Sequence, residues 1–351
     1  MEFLRFIIYN RMNNLRTITM KIIKYVALFF CTVLVLTAFR KDDVTTIFMI
    51  GDSTMANKNI NHGSPERGWG MVLQCFFDDA IRIDNHAVNG RSSKSFIDEG
   101  RWERVKNLIK PGDYVFIQFG HNDEKPREDR HTEPGTTFDE NLRKFVRETR
   151  QKGGIPVLFN CVVRRNFFKK APKNDDDEAL RKTVAAKVVP EEGDTLYDTH
   201  GDYRFSPMHV AKEMGVVFID ANQITHNLEQ GLGREKSKKL HMWFLPGEEP
   251  SIPKGRQDNT HYNIYGAHIV ARMLAGAVVK ELPALKKHRV NYDFAVAENG
   301  SGDFFDLESA IKAAPNGKKT TIQILGGKWI KPVVSREKKI KWVLREGAEW
   351  K

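Results

Sequence analysis

From residue 45 onward the chain alternates short apolar runs with longer mixed ones. Residues 45–50 are β-branched and apolar and stop at Gly51, the pattern of a buried strand. Residues 81–88, 113–119, 155–163 and 216–220 repeat that kind of run. Between them, residues 69–77, 102–109, 138–151 and 208–214 read as helices, with Pro111-Gly112 and Gly153-Gly154 as stops. Residues 265–281 read as a long C-terminal helix. Strands alternating with helices imply a parallel sheet covered on both faces. With right-handed crossovers this predicts an α/β chain, a three-layer α/β/α fold on a parallel five-stranded sheet.

The pattern also predicts where chemistry should gather. Ser53, Gly90, Asn122 and Arg164 all follow the carboxyl ends of predicted strands, the edge at which open α/β sheets bind ligands. Asp258 and His261 fall in the expected loop before the last helix, which would carry them to the same edge. Ser53 supplies a hydroxyl nucleophile, His261 a base to activate it, and Asp258, three residues away, a carboxylate to orient that base. The Ser53 amide, the Gly90 amide and the Asn122 side chain are three donors able to hold an oxyanion. Taken singly, these residues have ordinary readings as helix caps, a turn glycine and an Asx turn. Their joint occurrence in one domain-sized stretch points to acyl transfer.

The segments Gly51-Asp52-Ser53-Thr54, Val88-Asn89-Gly90-Arg91, Gly120-His121-Asn122-Asp123 and Asp258-Asn259-Thr260-His261 resemble the SGNH (GDSL-type) hydrolases. Arg67-Gly68-Trp69-Gly70, Tyr262 and Tyr265-Gly266-Ala267 narrow the likeness to rhamnogalacturonan acetylesterases, over roughly residues 44–285. The resemblance implies a flavodoxin-like sheet and a secreted serine esterase that removes O-acetyl groups from a pectic chain through an acetyl-Ser53 intermediate. A lipase, arylesterase or thioesterase of the same fold is the alternative, because fold alone does not choose a substrate. A non-catalytic pectin-binding protein is another.

Bulk composition adds limits. The chain has 351 residues, 40% of them hydrophobic, and a formal net charge of +11. A basic balance suits an acidic partner, and galacturonate carboxylates would provide one. Arg67, Arg91, Arg164 and Arg165 are candidates to grip them, since a guanidinium fork matches a carboxylate. No motif accompanies the charge that would indicate nucleic acid. The histidines show no metal-ligand spacing, so neither metal nor cofactor is expected. Of the three cysteines, Cys31 lies in an apolar N-terminal run; Cys75 and Cys161 read as buried thiols, with one disulfide as the alternative.

The two ends carry further expectations. Lys21-Ile22-Ile23-Lys24 before an apolar run to Phe39 reads as a signal peptide within residues 1–40, with Met20 as an alternative start and no lasting membrane span. That places the protein outside the cytoplasm, secreted or periplasmic. The stretch 169–182 is dense in charge and reads as an exposed insertion. Residues 286–291 read as a linker. Residues 292–351, from Phe294-Ala295-Val296-Ala297 through Leu307-Glu308-Ser309-Ala310-Ile311, resemble the opening of pectin methylesterases. The resemblance implies a short, incomplete parallel β-helix-like piece without that family's catalytic residues.

Overall fold

The computed structural model describes residues 44–171 and 192–351. The signal-peptide reading, Cys31 and most of the charged stretch 169–182 lie outside those residues. The central sheet is built from β1 (Thr45–Gly51), β2 (Ile81–Asn85), β3 (Tyr114–Gln118), β4 (Ile155–Phe159) and β5 (Val217–Ile219). All four pairings are parallel, in the spatial order β2-β1-β3-β4-β5. This is the doubly wound order in which the ligand edge lies where the strand direction of travel reverses, between β1 and β3.

Alternation along each strand explains the layers. In β1, Ile47 and Met49 enter one core with Phe116, Val157 and Phe159, while Phe48 and Ile50 enter the other with Val115, Ile117 and Leu158. The second core is covered by α1 (Ser93–Asp98), α2 (Arg101–Lys106), α3 (Thr137–Gln151) and α4 (Ser206–Met214), through Phe96, Trp102, Phe138, Leu142, Phe145 and Val210. The first is covered by α5 (Ala221–Ser237) and by α6 (Ile264–Glu281), whose Ala267, Val270, Ala271 and Leu274 are buried. Among the described residues no helix is long and apolar enough to cross a membrane.

Three elements differ from expectation. Residues 69–77 do not form an α-helix: the backbone proceeds by successive three-residue turns, Met71 to Gly68, Leu73 to Gly70, Cys75 to Val72 and Phe77 to Gln74, with a 3-10 helix at Leu73–Phe76. Nearly every apolar residue of this stretch is buried, so it has no single apolar stripe to favour an amphipathic helix. Asp258 and His261 lie on a strand rather than a loop. That strand, β7 (Arg256–Asn263), pairs antiparallel with β6 (His241–Phe244) and with the short strand Glu66–Arg67, and its register shifts between Gln257 and Tyr262. The bulge so formed turns the intervening side chains away from regular pleating. Helix α5 was not foreseen.

Cys75 and Cys161 are both free and buried. Residues 286–291 are tied to the body: Asp78 N–H donates to His288 O, and Val290 N–H to Phe76 O. Beyond them lie β8 (Phe294–Val296), α7 (Leu307–Ala313), β9 (Lys319–Ile324), β10 (Gly327–Trp329), β11 (Lys339–Leu344) and β12 (Ala348–Trp350). β8-β9-β11 is a parallel sheet, β10 pairs in parallel with β12, and Val296, Leu307, Ala310, Ile322, Ile324 and Trp329 form a small separate core. These pairings stop short of the several stacked coils that a β-helix needs to bury a continuous core.

Candidate active site

Ser53 follows β1 in a turn locked from below. Asp52 is buried; its Oδ1 accepts from Thr54 N–H at 2.9 Å and from Thr54 Oγ1 at 2.8 Å. Gln118 Nε2 donates to Thr54 Oγ1 at 2.7 Å, and Trp69 Nε1 donates to Gln118 Oε1 at 2.8 Å. A buried polar chain thus connects the turn to β3 and to the Arg67-Gly68-Trp69-Gly70 motif through Asp52 Oδ1, while the buried Asp52 Oδ2 has no hydrogen-bond partner among the described residues. Burial raises the Asp52 carboxyl above its ordinary value, against the Thr54 hydrogen bonds.

Across from the turn, Ser53 Oγ and His261 Nε2 are 2.9 Å apart, and His261 Nδ1 lies 2.9 Å from Asp258 Oδ2. Asp258 Oδ1 also accepts the amides of Thr260 at 2.8 Å and His261 at 3.0 Å. Burial opposes ionisation of Asp258, but the His261 ring and these amides outweigh it and hold the carboxyl well below its usual range. An ionised Asp258 fixes the His261 tautomer: Nδ1–H donates to the carboxylate, which leaves Nε2 to accept from the Ser53 hydroxyl.

Gly90 and Asn122 come to the same edge. Val88 N–H donates to Gly51 O at 3.0 Å, so the loop after β2 starts beside the end of β1. Gly90 has φ +73°, a left-handed conformation that glycine tolerates without strain. Gly51 is in register with Gln118 of β3. Asn122, just beyond β3, is buried, and its Nδ2 donates to Arg91 O at 3.1 Å while Oδ1 accepts from Lys125 Nζ at 2.9 Å. One amide hydrogen ties Asn122 to the Gly90 loop, and the second remains for another acceptor.

The sequence did not mark the residue that organises both loops. Asp123 Oδ1 accepts from Ser93 N–H at 2.9 Å, Ser93 Oγ at 2.5 Å and Thr132 Oγ1 at 3.0 Å, and its Oδ2 accepts from Gly120 N–H at 3.1 Å. It binds the start of α1, which follows Gly90, to the loop carrying Asn122. Burial pushes its carboxyl up to about 7 against those donors. The sequence signal was present in the Ser92-Ser93 pair downstream of Gly90 and the acid beside Asn122. Lys58, Glu66 and Arg256 were also missed; they are ion-paired around Asp258.

The arginine expectations need correction. Arg164 is 2% exposed, paired with Glu124 and in contact with His200, and so joins the loops after β3 and β4 from inside. Arg165 is 4% exposed; it donates to Ser237 Oγ at 3.0 Å, Asn259 Oδ1 at 3.0 Å and Arg234 O, and its own N–H donates to Asn259 O at 2.8 Å. It clamps the bulge between Asp258 and His261. Arg67 is 1% exposed and donates to the carbonyls of Gly300, Ser64 and Glu66, each at 2.7 Å. All three are buried and hydrogen-bonded within the chain. Arg91 is half-buried and reaches solvent, with its Nε on Glu99.

Residues 47–274 match the family described as GDSL-like Lipase/Acylhydrolase. The chain therefore belongs to the GDSL (SGNH) hydrolases, and it is a carboxylic ester hydrolase. It is 36% identical over 245 residues to the rhamnogalacturonan acetylesterase RhgT of Bacillus subtilis (strain 168), covering 70% of this chain and 94% of that protein. To YesY of the same organism, a probable rhamnogalacturonan acetylesterase, it is 30% identical over 237 residues, covering 67% and 93%. The crystal structure of Bacillus subtilis YxiM superposes with a TM-score of 0.53 at 26% identity, over 69% of this chain and 58% of that one.

Proposed function

We propose that the protein removes O-acetyl groups from a pectic polysaccharide, rhamnogalacturonan, by serine catalysis. The observation that carries the reading is the unbroken line Ser53 Oγ, His261 Nε2, His261 Nδ1, Asp258 Oδ2, with 2.9 Å at both hydrogen bonds. Ser53 Oγ attacks the acetyl carbonyl carbon as His261 Nε2 takes its proton. The carbonyl oxygen becomes an oxyanion held by the Ser53 and Gly90 amides and by Asn122 Nδ2. Collapse expels the sugar oxygen, which receives the proton from His261, and leaves acetyl-Ser53. Water, deprotonated by His261, then attacks the acetyl carbon, the bond to Ser53 Oγ breaks as the proton returns to that oxygen, and acetic acid leaves and ionises to acetate in solution. Asp258 stays ionised throughout and stabilises the imidazolium.

The substrate assignment is supported by the two similar Bacillus proteins named as rhamnogalacturonan acetylesterases, one of them as probable. Residues 292–351 we read as a pectin methylesterase-like opening with no chemistry of its own, and residues 1–40 as an export leader that places the enzyme outside the cytoplasm. The test is acetate release from acetylated rhamnogalacturonan, acetylated xylan and p-nitrophenyl acetate, with Ser53→Ala in parallel. Release from the pectic polymer that vanishes in Ser53→Ala is the expected result. Activity confined to the small ester would sink the substrate assignment and keep the serine chemistry.

A further inference from the structure

Asp258 Oδ2 is shared between two donors: His261 Nδ1 at 2.9 Å and Arg256 Nη2 at 2.5 Å. The other arm of the guanidinium, Nη1, donates to Glu66 Oε2 at 2.6 Å. Glu66 Oε1 pairs with Lys58 Nζ at 2.8 Å, and the same ammonium donates to Asn89 Oδ1 at 2.7 Å. Asn89 is bonded to Gly90. The signs alternate along the chain, and the Lys58 and Glu66 side chains are only 4% and 16% exposed. Asp258 is 17% and Arg256 34% exposed, so the Lys58–Glu66 pair is weakly screened and the pairs made by Arg256 are screened more by solvent. The chain runs from the carboxylate behind the histidine to the residue beside the proposed oxyanion donor, and it joins four separate segments of sequence.

We propose that Asp258–Arg256–Glu66–Lys58–Asn89 is one positioning device that sets the basicity of His261 and holds the Gly90 loop, with Arg256 as its pivotal positioning residue. The proposal rests on the catalytic reading of Ser53, His261 and Asp258. The physical argument is competition for one oxygen. Arg256 draws on the Asp258 charge that would otherwise stabilise the His261 imidazolium. Glu66 in turn draws Arg256 away from Asp258. Loss of Arg256 therefore gives His261 the whole carboxylate, and protonation persists to higher pH. Loss of the Glu66 charge leaves Arg256 bearing more heavily on Asp258 and His261, and protonation ends at lower pH. Among the described residues, Asp52 from the turn after β1 and His121 from the loop after β3 also interact electrostatically with His261; both are unchanged in these variants.

The experiment measures the pH profile of kcat/KM on p-nitrophenyl acetate, using the full chain as wild type, Arg256→Gln, Arg256→Lys, Glu66→Gln, Lys58→Met and Ser53→Ala. The acid limb should move up by about half a pH unit or more in Arg256→Gln and down in Glu66→Gln, as expected for charges acting within a few ångströms. Arg256→Lys, which keeps the charge but cannot hold both carboxylates with one fork, should sit between Arg256→Gln and wild type. Lys58→Met should lower kcat with little change in KM. Limbs that coincide with wild type, or move the same way in both charge variants, would overturn the proposal, while an inactive Ser53→Ala left the catalytic reading standing. An active Ser53→Ala would bring down the catalytic reading and this proposal with it. Thermal melts identify any variant that fails to fold, and Glu66→Gln with Lys58→Met still decides the matter if Arg256→Gln does.

Discussion

The second amide hydrogen of Asn122 is the most exposed point of the proposed chemistry to single-residue testing. Its first hydrogen is engaged by Arg91 O and its oxygen by Lys125, so the side chain is held in place before any substrate arrives. An oxyanion donor preorganised in this way acts on the transition state more than on the ground state. Asn122→Ala should lower kcat by about 10²- to 10³-fold with little change in KM, checked by steady-state kinetics on p-nitrophenyl acetate; a change confined to KM would remove Asn122 from that role. The gathering of Ser53, Asn122, Asp258 and His261 was legible in the sequence because each has a reactive or hydrogen-bonding side chain and sits at a predicted strand end or beside the last helix. Arg164 and Arg165 were misread for the complementary reason. A residue type declares its charge but not whether it is buried, and both arginines turned out to be internal fasteners, one on Glu124 and one on Asn259.

At the scale of elements, Asp123 is the joint between the loop after β3 and the start of α1, and its ionisation gives that joint a pH dependence. A carboxyl whose folded value is raised to about 7, from an unfolded value near about 3.9, favours the protonated folded state. Its contribution to stability is fully present below about pH 4 and is lost as the pH rises through about 7. Three units correspond to an upper bound of about 4 kcal/mol. Asp123→Asn cannot ionise and should remove this slope: the stability of wild type minus that of the variant should fall from pH 4 to pH 8 in urea denaturation. A difference that is flat or grows with pH would show that the four donors keep Asp123 charged. The strands were legible here because β-branched runs ending at glycine have few other uses. The ribbon β6–β7 was not: Arg-Gln-Asp-Asn-Thr-His-Tyr-Asn shows no clear apolar alternation, and its pairing depends on a bulge clamped by Arg165 from a distant segment. Helix α5 was hidden by Gly231 and Gly233 and by its polar residues. The 69–77 stretch was misread because continuous apolarity reports burial, not helical periodicity.

For the whole molecule, the question is whether residues 292–351 form a separate module. The family match ends at residue 274, yet the later segment is fastened to the hydrolase body at several points. Cys75 Sγ donates to Ser301 O at 3.1 Å, Gln323 Nε2 donates to Cys75 O at 2.8 Å, and Arg67 holds Gly300 O at 2.7 Å. Arg345 makes the densest set: Nε to Asp79 Oδ1 at 3.0 Å, Nη1 to Gln323 Oε1 at 2.8 Å and Nη2 to Phe77 O at 2.5 Å. Arg67 is in register with Tyr262, the neighbour of His261, so the same fasteners continue into the strand that carries the base. Coupling of this kind predicts one cooperative transition shared by the hydrolase body and residues 292–351 rather than two. Arg345 is 7% exposed; of its three acceptors Asp79 is 43% exposed, so removal of Arg345 strands the two buried ones, Gln323 Oε1 and Phe77 O, each at a cost of about 1–3 kcal/mol. Arg345→Ala should therefore lower unfolding stability by about 2–6 kcal/mol and move the whole calorimetric transition, with esterase activity lost at the same temperature as the secondary structure. If instead a minor early transition splits off while activity persists to the wild-type temperature, the C-terminal segment melts independently and the hydrolase body stands without it.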